Sequence, residues 1–223
     1  MDKAVCARIV SATGWLSQQP EAFRTEIVRR SHLRRFEAGE TLYLAGDPPG
    51  GVFGLADGVL TIALRNGRVA TVKRPGYWIG ETAAMRRQRR TVTLAAATRA
   101  HTLYLPLSEF ERMIADAETC RRFASLSLQH LDEALEIIAC LMAPDAVGRV
   151  AGRLLALTDA QSIGEGTAMR LTQRDLADMC GISRQTANRV LIDLGERQVL
   201  ATRYGTVTIL DARTLRILAG EVG

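Results

Sequence analysis

The sequence lacks any apolar run approaching the roughly 18 to 20 residues of a membrane span, so hydropathy excludes a transmembrane helix. Cysteine is scarce: Cys6, Cys120, Cys140 and Cys180 are scattered with no C-x-x-C pair. That excludes a disulfide framework and a cysteine zinc site, and leaves reduced thiols serving as small core residues. The three histidines, His32, His101 and His130, lack metal-ligand spacing, and nothing places one beside a Ser or Cys nucleophile. No catalytic constellation is visible, and the chain is expected not to be an enzyme. A strong charge imbalance is missing too. The net charge is +5, carried almost entirely by arginine. Cut at Ala143, the halves hold 19 basic against 15 acidic residues and 10 against 9. Bulk charge therefore singles out no nucleic-acid domain, and local clustering must do so. Arg8 interrupts the only apolar patch near the start, so no leader peptide is read there and a cytoplasmic protein without a membrane partner is expected.

What is present fits two domains, given 223 residues with 47% hydrophobic and 24% charged. From Leu33 to Pro106 the turn signals AGE, AGDPPGG, ADG, RNG and RPG recur at the interval of all-β units, which predicts a small antiparallel sandwich or barrel. Asn66-Gly67, between VLTIALR and VATVKR, predicts a type I′ hairpin turn. After Pro106 the turn signals stop. Ser108 with Glu111 reads as a capping box, and helix is predicted to about Met142. Within it Ala124, Leu128, Leu131, Leu135, Ile138 and Met142 alternate steps of four and three, the spacing of a coiled-coil seam. A helix packed on its own domain gives a similar stripe. The seam is the preferred reading, with Leu128, Leu131, Leu135, Ile138 and Met142 as the dimer interface. Ala143-Pro144 ends the helix. The division expected is 1–116 for a sensing domain, 117–143 for a dimerisation helix and 144–223 for the last domain.

Beyond it, DAVGRVAGRLLALT predicts a helix over 145–158, followed by the Gly-rich stretch DAQSIGEGT. Thr172 then caps QRDLADMC, with Asp175 at the third helical position. Gly181 breaks that helix and Ser183 caps the next. Two short helices joined by a glycine-containing turn are a helix-turn-helix. VLATRYGTVTIL predicts a hairpin wing, and Asp211 caps a final helix. In GISRQTANRVLIDL, Ala187, Val190, Leu191 and Leu194 form one stripe and Arg184, Gln185, Asn188 and Arg189 the other. Guanidinium and carboxamide groups in the first two turns of such a helix suit base edges in the major groove. Thr172, Ser183 and Arg203, with Arg197 and the helix-start amides, suit phosphates. The plainer reading is a solvated outer face.

These motifs, above all LTQRDLADMCGISRQTANRVL, resemble the CRP/FNR family of bacterial transcription regulators, and the likeness runs from about Leu16 to the end. The resemblance implies an α+β chain: an N-terminal antiparallel β-roll of the cyclic-nucleotide-binding jelly-roll type, a long dimerisation helix and a C-terminal winged helix-turn-helix. It implies a homodimer on a palindromic operator in double-stranded DNA, acting with RNA polymerase. The family's base-reading Arg, Glu and Arg fall on Arg184, Gln185 and Arg189, so Gln185 implies a different preferred base. The family's phosphate-binding cassette falls on IGETAAMRRQRRTVTLAA, with Gly80, Glu81, Arg90 and Thr91 as effector-binding residues. Glu81 would accept from a ribose hydroxyl, and Arg90 and Thr91 would hold a cyclic phosphate. The effector implied is a cyclic nucleotide or another small anion. The hydroxyl pair that touches the purine in cyclic-AMP members falls on Ala134 and Leu135, so that contact is missing. A lone Cys6 implies no iron-sulfur cluster. The competing function is a sensor module whose winged domain contacts proteins in place of DNA.

Overall fold

A computed structural model describes residues 1–159, 166, 168–203 and 205–220. The chain divides into two compact units, Met1–Gly67 with Thr71–Leu131, and Arg68–Ala70 with Asp132–Gly223.

The first unit opens with three helices, α1 (Lys3–Ala12), α2 (Gly14–Ser17) and α3 (Glu21–Arg30). Asp2 caps α1 by accepting from the Val5 amide at 2.9 Å, and Cys6 and Val10, one turn apart, turn inward. Eight strands follow: β1 (His32–Phe36), β2 (Thr41–Tyr43), β3 (Val52–Asp57), β4 (Leu60–Ala63), β5 (Val69–Lys73), β6 (Trp78–Ile79), β7 (Thr93–Ala96) and β8 (Ala100–Leu105), with α4 (Glu81–Arg86) between β6 and β7. They form two antiparallel four-stranded sheets, β1-β8-β3-β6 and β2-β7-β4-β5. This is the expected roll. The first helices were not anticipated by sequence, yet they complete one of its cores. Trp15 lies 6.1 Å from Trp78 and 5.2 Å from Phe123 between ring centroids, and Phe123 meets Phe110 at 4.7 Å. Trp78, Phe110 and Phe123 are fully buried, and each such aromatic contributes about 1.5–3 kcal/mol of transfer free energy.

Two local expectations are corrected. At the 64–67 turn the Gly67 amide bonds Leu64 O at 2.9 Å and only Gly67 has positive φ, at 79°. Type I′ needs positive φ at Asn66 as well, so the loop is a longer one closed by a left-handed glycine. The helix predicted to be capped by Ser108 is α5 (Leu107–Met113), whose N-cap is Pro106, two residues earlier, and which has no side-chain cap. Pro106 is the N-cap residue, with an extended ψ of 150°, and having no N–H it leaves none orphaned at the helix start. Next comes α6 (Ala117–Met142), 26 residues and so about 39 Å long. Its first turns bury Phe123 and Leu126.

In the second unit α7 (Ala146–Asp159) buries Val150, Ala151, Leu154 and Leu155 and packs against α8 (Gln173–Cys180), α9 (Arg184–Glu196) and α10 (Ala212–Ala219). The strands β9 (Ala168–Arg170), β10 (Leu200–Arg203) and β11 (Thr206–Ile209) form an antiparallel sheet in the order β10-β11-β9, with Arg203 opposite Thr206 at the hairpin end. The hairpin wing was expected, and β9 was not. Residues 160–165 and 167 of the Gly-rich stretch, and Tyr204 of the wing, lie outside the described residues. The division at Leu131/Asp132 falls inside α6, so both units hold part of that helix.

Candidate functional site

Three places carry the residues singled out by sequence. The first is the α8–α9 pair. Thr172 Oγ1 accepts from the Asp175 amide at 3.1 Å and donates to Asp175 Oδ2 at 2.7 Å, which starts α8. Gly181 ends it in the left-handed region (φ 62°), where the Gly181 and Ile182 amides close the last turn onto Asp178 O and Ala177 O. Ser183 Oγ then accepts from the Thr186 amide at 3.0 Å and starts α9. Ala187, Val190, Leu191 and Leu194 are buried. Burying that stripe fixes the rotation of α9, so Arg184, Gln185 and Arg189 stand exposed on the opposite edge with Asn188 half-buried beside them. Neither Arg184 nor Arg189 has an acidic partner among the described residues. Asn188 does have a partner, because Gln173 Nε2 at the start of α8 donates to its Oδ1 at 2.8 Å. Sequence reasoning missed Gln173, whose role depends on how α8 and α9 cross. The hydroxyls of Thr172 and Ser183 are engaged in capping, and Arg203 is exposed at the end of β10. Arg170 and Arg174 are exposed as well, and sequence reasoning did not single them out.

The second place is the cassette around α4. Gly80 precedes the helix at φ 114°, and a Cβ there would lie 2.7 Å from Arg90 Nη1 and 2.8 Å from Gly51 O. Only glycine satisfies both the backbone and the space. Arg90, 3% exposed, donates from Nη1 to Gly80 O at 2.9 Å and from Nη2 to Gly51 O at 2.7 Å. Its guanidinium also stacks over Tyr43, 4.2 Å from the ring centroid. Glu81 is wholly buried. Its Oε1 accepts from Thr82 Oγ1 at 2.8 Å and Ser127 Oγ at 3.1 Å and pairs with His130 Nδ1 at 2.9 Å. Its Oε2 and His130 Nε2 are both buried without a hydrogen-bond partner. Burial alone would raise the Glu81 carboxyl, but the bonds from His130 and Thr82 outweigh it and hold the group below the usual carboxylate range. Thr91 is exposed. Glu81 and Arg90 are thus both buried near Gly80, yet each is already engaged by the protein. Ser127 and His130, one turn apart on α6, are the neighbours that sequence reasoning missed, because they lie 46 and 49 residues from Glu81 in the chain.

The third place is that stripe. Leu128, Leu131, Leu135, Ile138 and Met142 are 60%, 53%, 54%, 52% and 78% exposed, and Leu141 joins them at 39%. A single chain rarely leaves so continuous an apolar band open to water. Among the described residues no group of three His, Cys, Asp or Glu side chains is placed to hold a metal ion, and no helix is long and apolar enough to cross a membrane.

Known proteins resemble this chain in sequence and in fold. A cyclic nucleotide-binding domain model matches residues 33–117, and a Crp-like helix-turn-helix domain model matches 148–218. The chain is 28% identical over 189 residues to the CRP-like cAMP-activated global transcriptional regulator of Mycobacterium tuberculosis, covering 81% of this chain and 84% of that one. It is 27% identical over 196 residues to the transcriptional regulator LdrP of Thermus thermophilus, covering 85% and 97%. Its fold matches the solved structure of FixK2 from Bradyrhizobium japonicum with a TM-score of 0.75 at 19% identity, over 84% of this chain and 96% of that one.

Proposed function

We propose that this chain, which belongs to the CRP/FNR family of transcription regulators, is a homodimeric, sequence-specific DNA-binding regulator whose β-roll senses a small effector. The observation that carries the reading is the edge of α9, where Arg184, Gln185 and Arg189 face outward from a helix whose other side is fully buried. A guanidinium donates two hydrogen bonds to guanine and a carboxamide pairs with adenine, so this edge has the donors and acceptors that major-groove recognition uses. Arg203, and the backbone amides at the turns capped by Thr172 and Ser183, serve the phosphates. The stripe from Leu128 to Met142 joins two subunits, each buried leucine contributing about 1.5–3 kcal/mol, and twofold symmetry then calls for a palindromic operator. The protein works by binding, in the cytoplasm, with RNA polymerase as the enzyme it influences.

The effector contacts assigned here are Gly80, Glu81, Arg90 and Thr91. Glu81 keeps one oxygen, Oε2, for a ligand hydroxyl, and His130, whose Nδ1 meets the other oxygen, keeps its Nε2 without a partner. Arg90 already donates to two carbonyls, yet a guanidinium carries five N–H groups, so donors remain for an anion such as a cyclic phosphate. Salt and symmetry test the whole reading. The wild type is expected to bind a palindromic duplex as a dimer, with affinity falling steeply between low and moderate salt as counterions are released. Leu135→Asp is expected to sediment as a monomer and to lose that binding. A dimeric, fully binding Leu135→Asp protein removes the seam, and binding indifferent to salt removes the DNA.

A further inference from the structure

Two thiols far apart in sequence meet on one helix of the second unit. Cys140, near the end of α6, and Cys180, the last residue of α8, both rest against α7. Cys180 Sγ donates to Arg149 O at 3.7 Å, and a Cβ on Gly152 would lie 3.2 Å from Cys140 Sγ. Arg149 and Gly152 are one turn apart and share a face of α7. Gly152 thus makes room for the Cys140 sulfur. The following residues meet as well, since a Cβ on Gly181 would lie 3.6 Å from Leu141 Cδ2. Cys140 stands two residues from both Ile138 and Met142, on the side of α6 away from the exposed stripe. Burial pushes the Cys180 thiol up to about 12, with the Arg153 charge opposing that rise and Cys140 adding to it. Arg153 on α7 is therefore in electrostatic reach of both sulfurs.

We infer that Cys140 and Cys180 form a dithiol oxidised by peroxide, whose disulfide ties the end of α6 to the end of α8 and weakens operator binding. Cys140 is half-buried and Cys180 only 1% exposed, so Cys140 meets the oxidant. The neighbouring guanidinium of Arg153 favours its thiolate. The thiolate sulfur attacks one peroxide oxygen, the O–O bond breaks, and hydroxide leaves and takes up the proton that the thiol gave away. Cys140 is then a sulfenic acid. The Cys180 sulfur attacks the Cys140 sulfur, the S–S bond forms as the S–O bond breaks, and the Cys180 proton goes to the departing oxygen, which leaves as water. Two thiols and one peroxide give one disulfide and two waters, with two electrons passing from sulfur to the peroxide. Bonded sulfurs sit about 2 Å apart, closer than two thiols in contact, so the last turn of α8 is drawn toward α6. Gly181 and Ser183, which end α8 and start α9, follow at once in the chain, and the recognition edge shifts with them. In a reducing compartment such a bond is transient, as a signal requires. The effect on DNA rests on the DNA-binding reading, and the chemistry of the thiols does not.

Hydrogen peroxide treatment of the full-length wild type, Cys140→Ser and Cys180→Ala, followed by thiol counting and peptide mass spectrometry, tests the pair. The wild type is expected to fall from four thiols to two, with the Cys140 and Cys180 peptides joined within one chain and parted by dithiothreitol. Cys180→Ala is expected to stop at a sulfenic acid on Cys140, trapped by dimedone, and Cys140→Ser to keep its remaining thiols. The wild-type arm needs no variant to fold. Oxidised wild type is expected to bind a selected operator on the order of tenfold more weakly than the reduced protein. Dithiothreitol is expected to restore that affinity, and Cys140→Ser to hold its own throughout. Methionine sulfoxide is not reversed by dithiothreitol, so recovery excludes damage at Met142 or Met179. A wild type that keeps four thiols, a bond that joins other cysteines or two chains, or a Cys140–Cys180 disulfide with unchanged affinity each overturns the inference and leaves the DNA reading standing. If the reduced protein selects no operator, the DNA reading falls, while the thiol count still decides the pair.

Discussion

Arg90 in the β-roll and Arg184 on α9 carry the same guanidinium in opposite circumstances. Arg90 is 3% exposed, donates to the carbonyls of Gly80 and Gly51 and lies over Tyr43. Arg184 is exposed and has no acidic partner among the described residues. A buried cation without hydrogen bonds costs several kcal/mol, so Arg90 is tied to its site by the fold before any ligand arrives. An exposed one is stabilised by water and gives that up only to something better, such as a base edge or a phosphate. Residue type alone therefore does not define a ligand site. What matters is how much hydrogen-bonding capacity remains after folding, and that differs sharply between the two regions.

Exchanging each arginine separates these roles. Arg90→Leu leaves the buried Gly51 carbonyl without its donor and Gly80 O with only the Ala84 amide at 3.3 Å, removes the stacking on Tyr43, and is expected to destabilise the β-roll by about 2–4 kcal/mol. The measurement is a denaturant midpoint in the absence of any effector. Arg184→Ala should leave that midpoint within about 0.5 kcal/mol. It is expected instead to weaken binding to the selected operator by about 1–3 kcal/mol and binding to random duplex far less. An Arg184→Ala protein that melts early, or an Arg90→Leu protein that melts normally, would erase the contrast.

The same contrast explains what could be read in advance. The helix-turn-helix was legible because its signals are local: Thr172, Gly181, Ser183 and Asp211 each act within a few residues, and the apolar stripe of α9 needs no partner to be recognised. The roll was legible from its turns. The state of the cassette was not, because Glu81 meets Ser127 and His130 across 46 and 49 residues, and such partners leave no local pattern. The opening helices were missed for a similar reason. Arg8 breaks the apolar patch of α1 in sequence, but on the helix it stands outward while Cys6 and Val10 turn in. The three-residue β9 is a strand only because β11 lies beside it.

The smallest expected effect concerns the acid limb of stability and falls on Glu81. Its carboxyl sits below the usual range in the folded protein, since the bonds from His130 and Thr82 outweigh the burial that would raise it. An unfolded chain has a carboxyl near 4.3. Between the two values the unfolded state binds the proton and the folded state does not. The stability contributed by the ionised carboxylate is therefore fully present above about pH 4.3 and is lost as pH falls through the lower folded value. Glu26, held at about 2 by hydrogen bonds from Arg29 and Arg30, adds a loss of the same sign, so a bare acid titration of the wild type does not isolate Glu81. Comparison with Glu81→Gln does, because the Glu26 contribution is common to both proteins and cancels. Denaturant midpoints measured from pH 6 down to pH 3 are expected to fall more steeply for the wild type than for Glu81→Gln, the gap between them closing as acid protonates the carboxylate. Parallel curves would mean that Glu81 gains nothing from its α6 partners, and that the cassette is as uncommitted as the edge of α9.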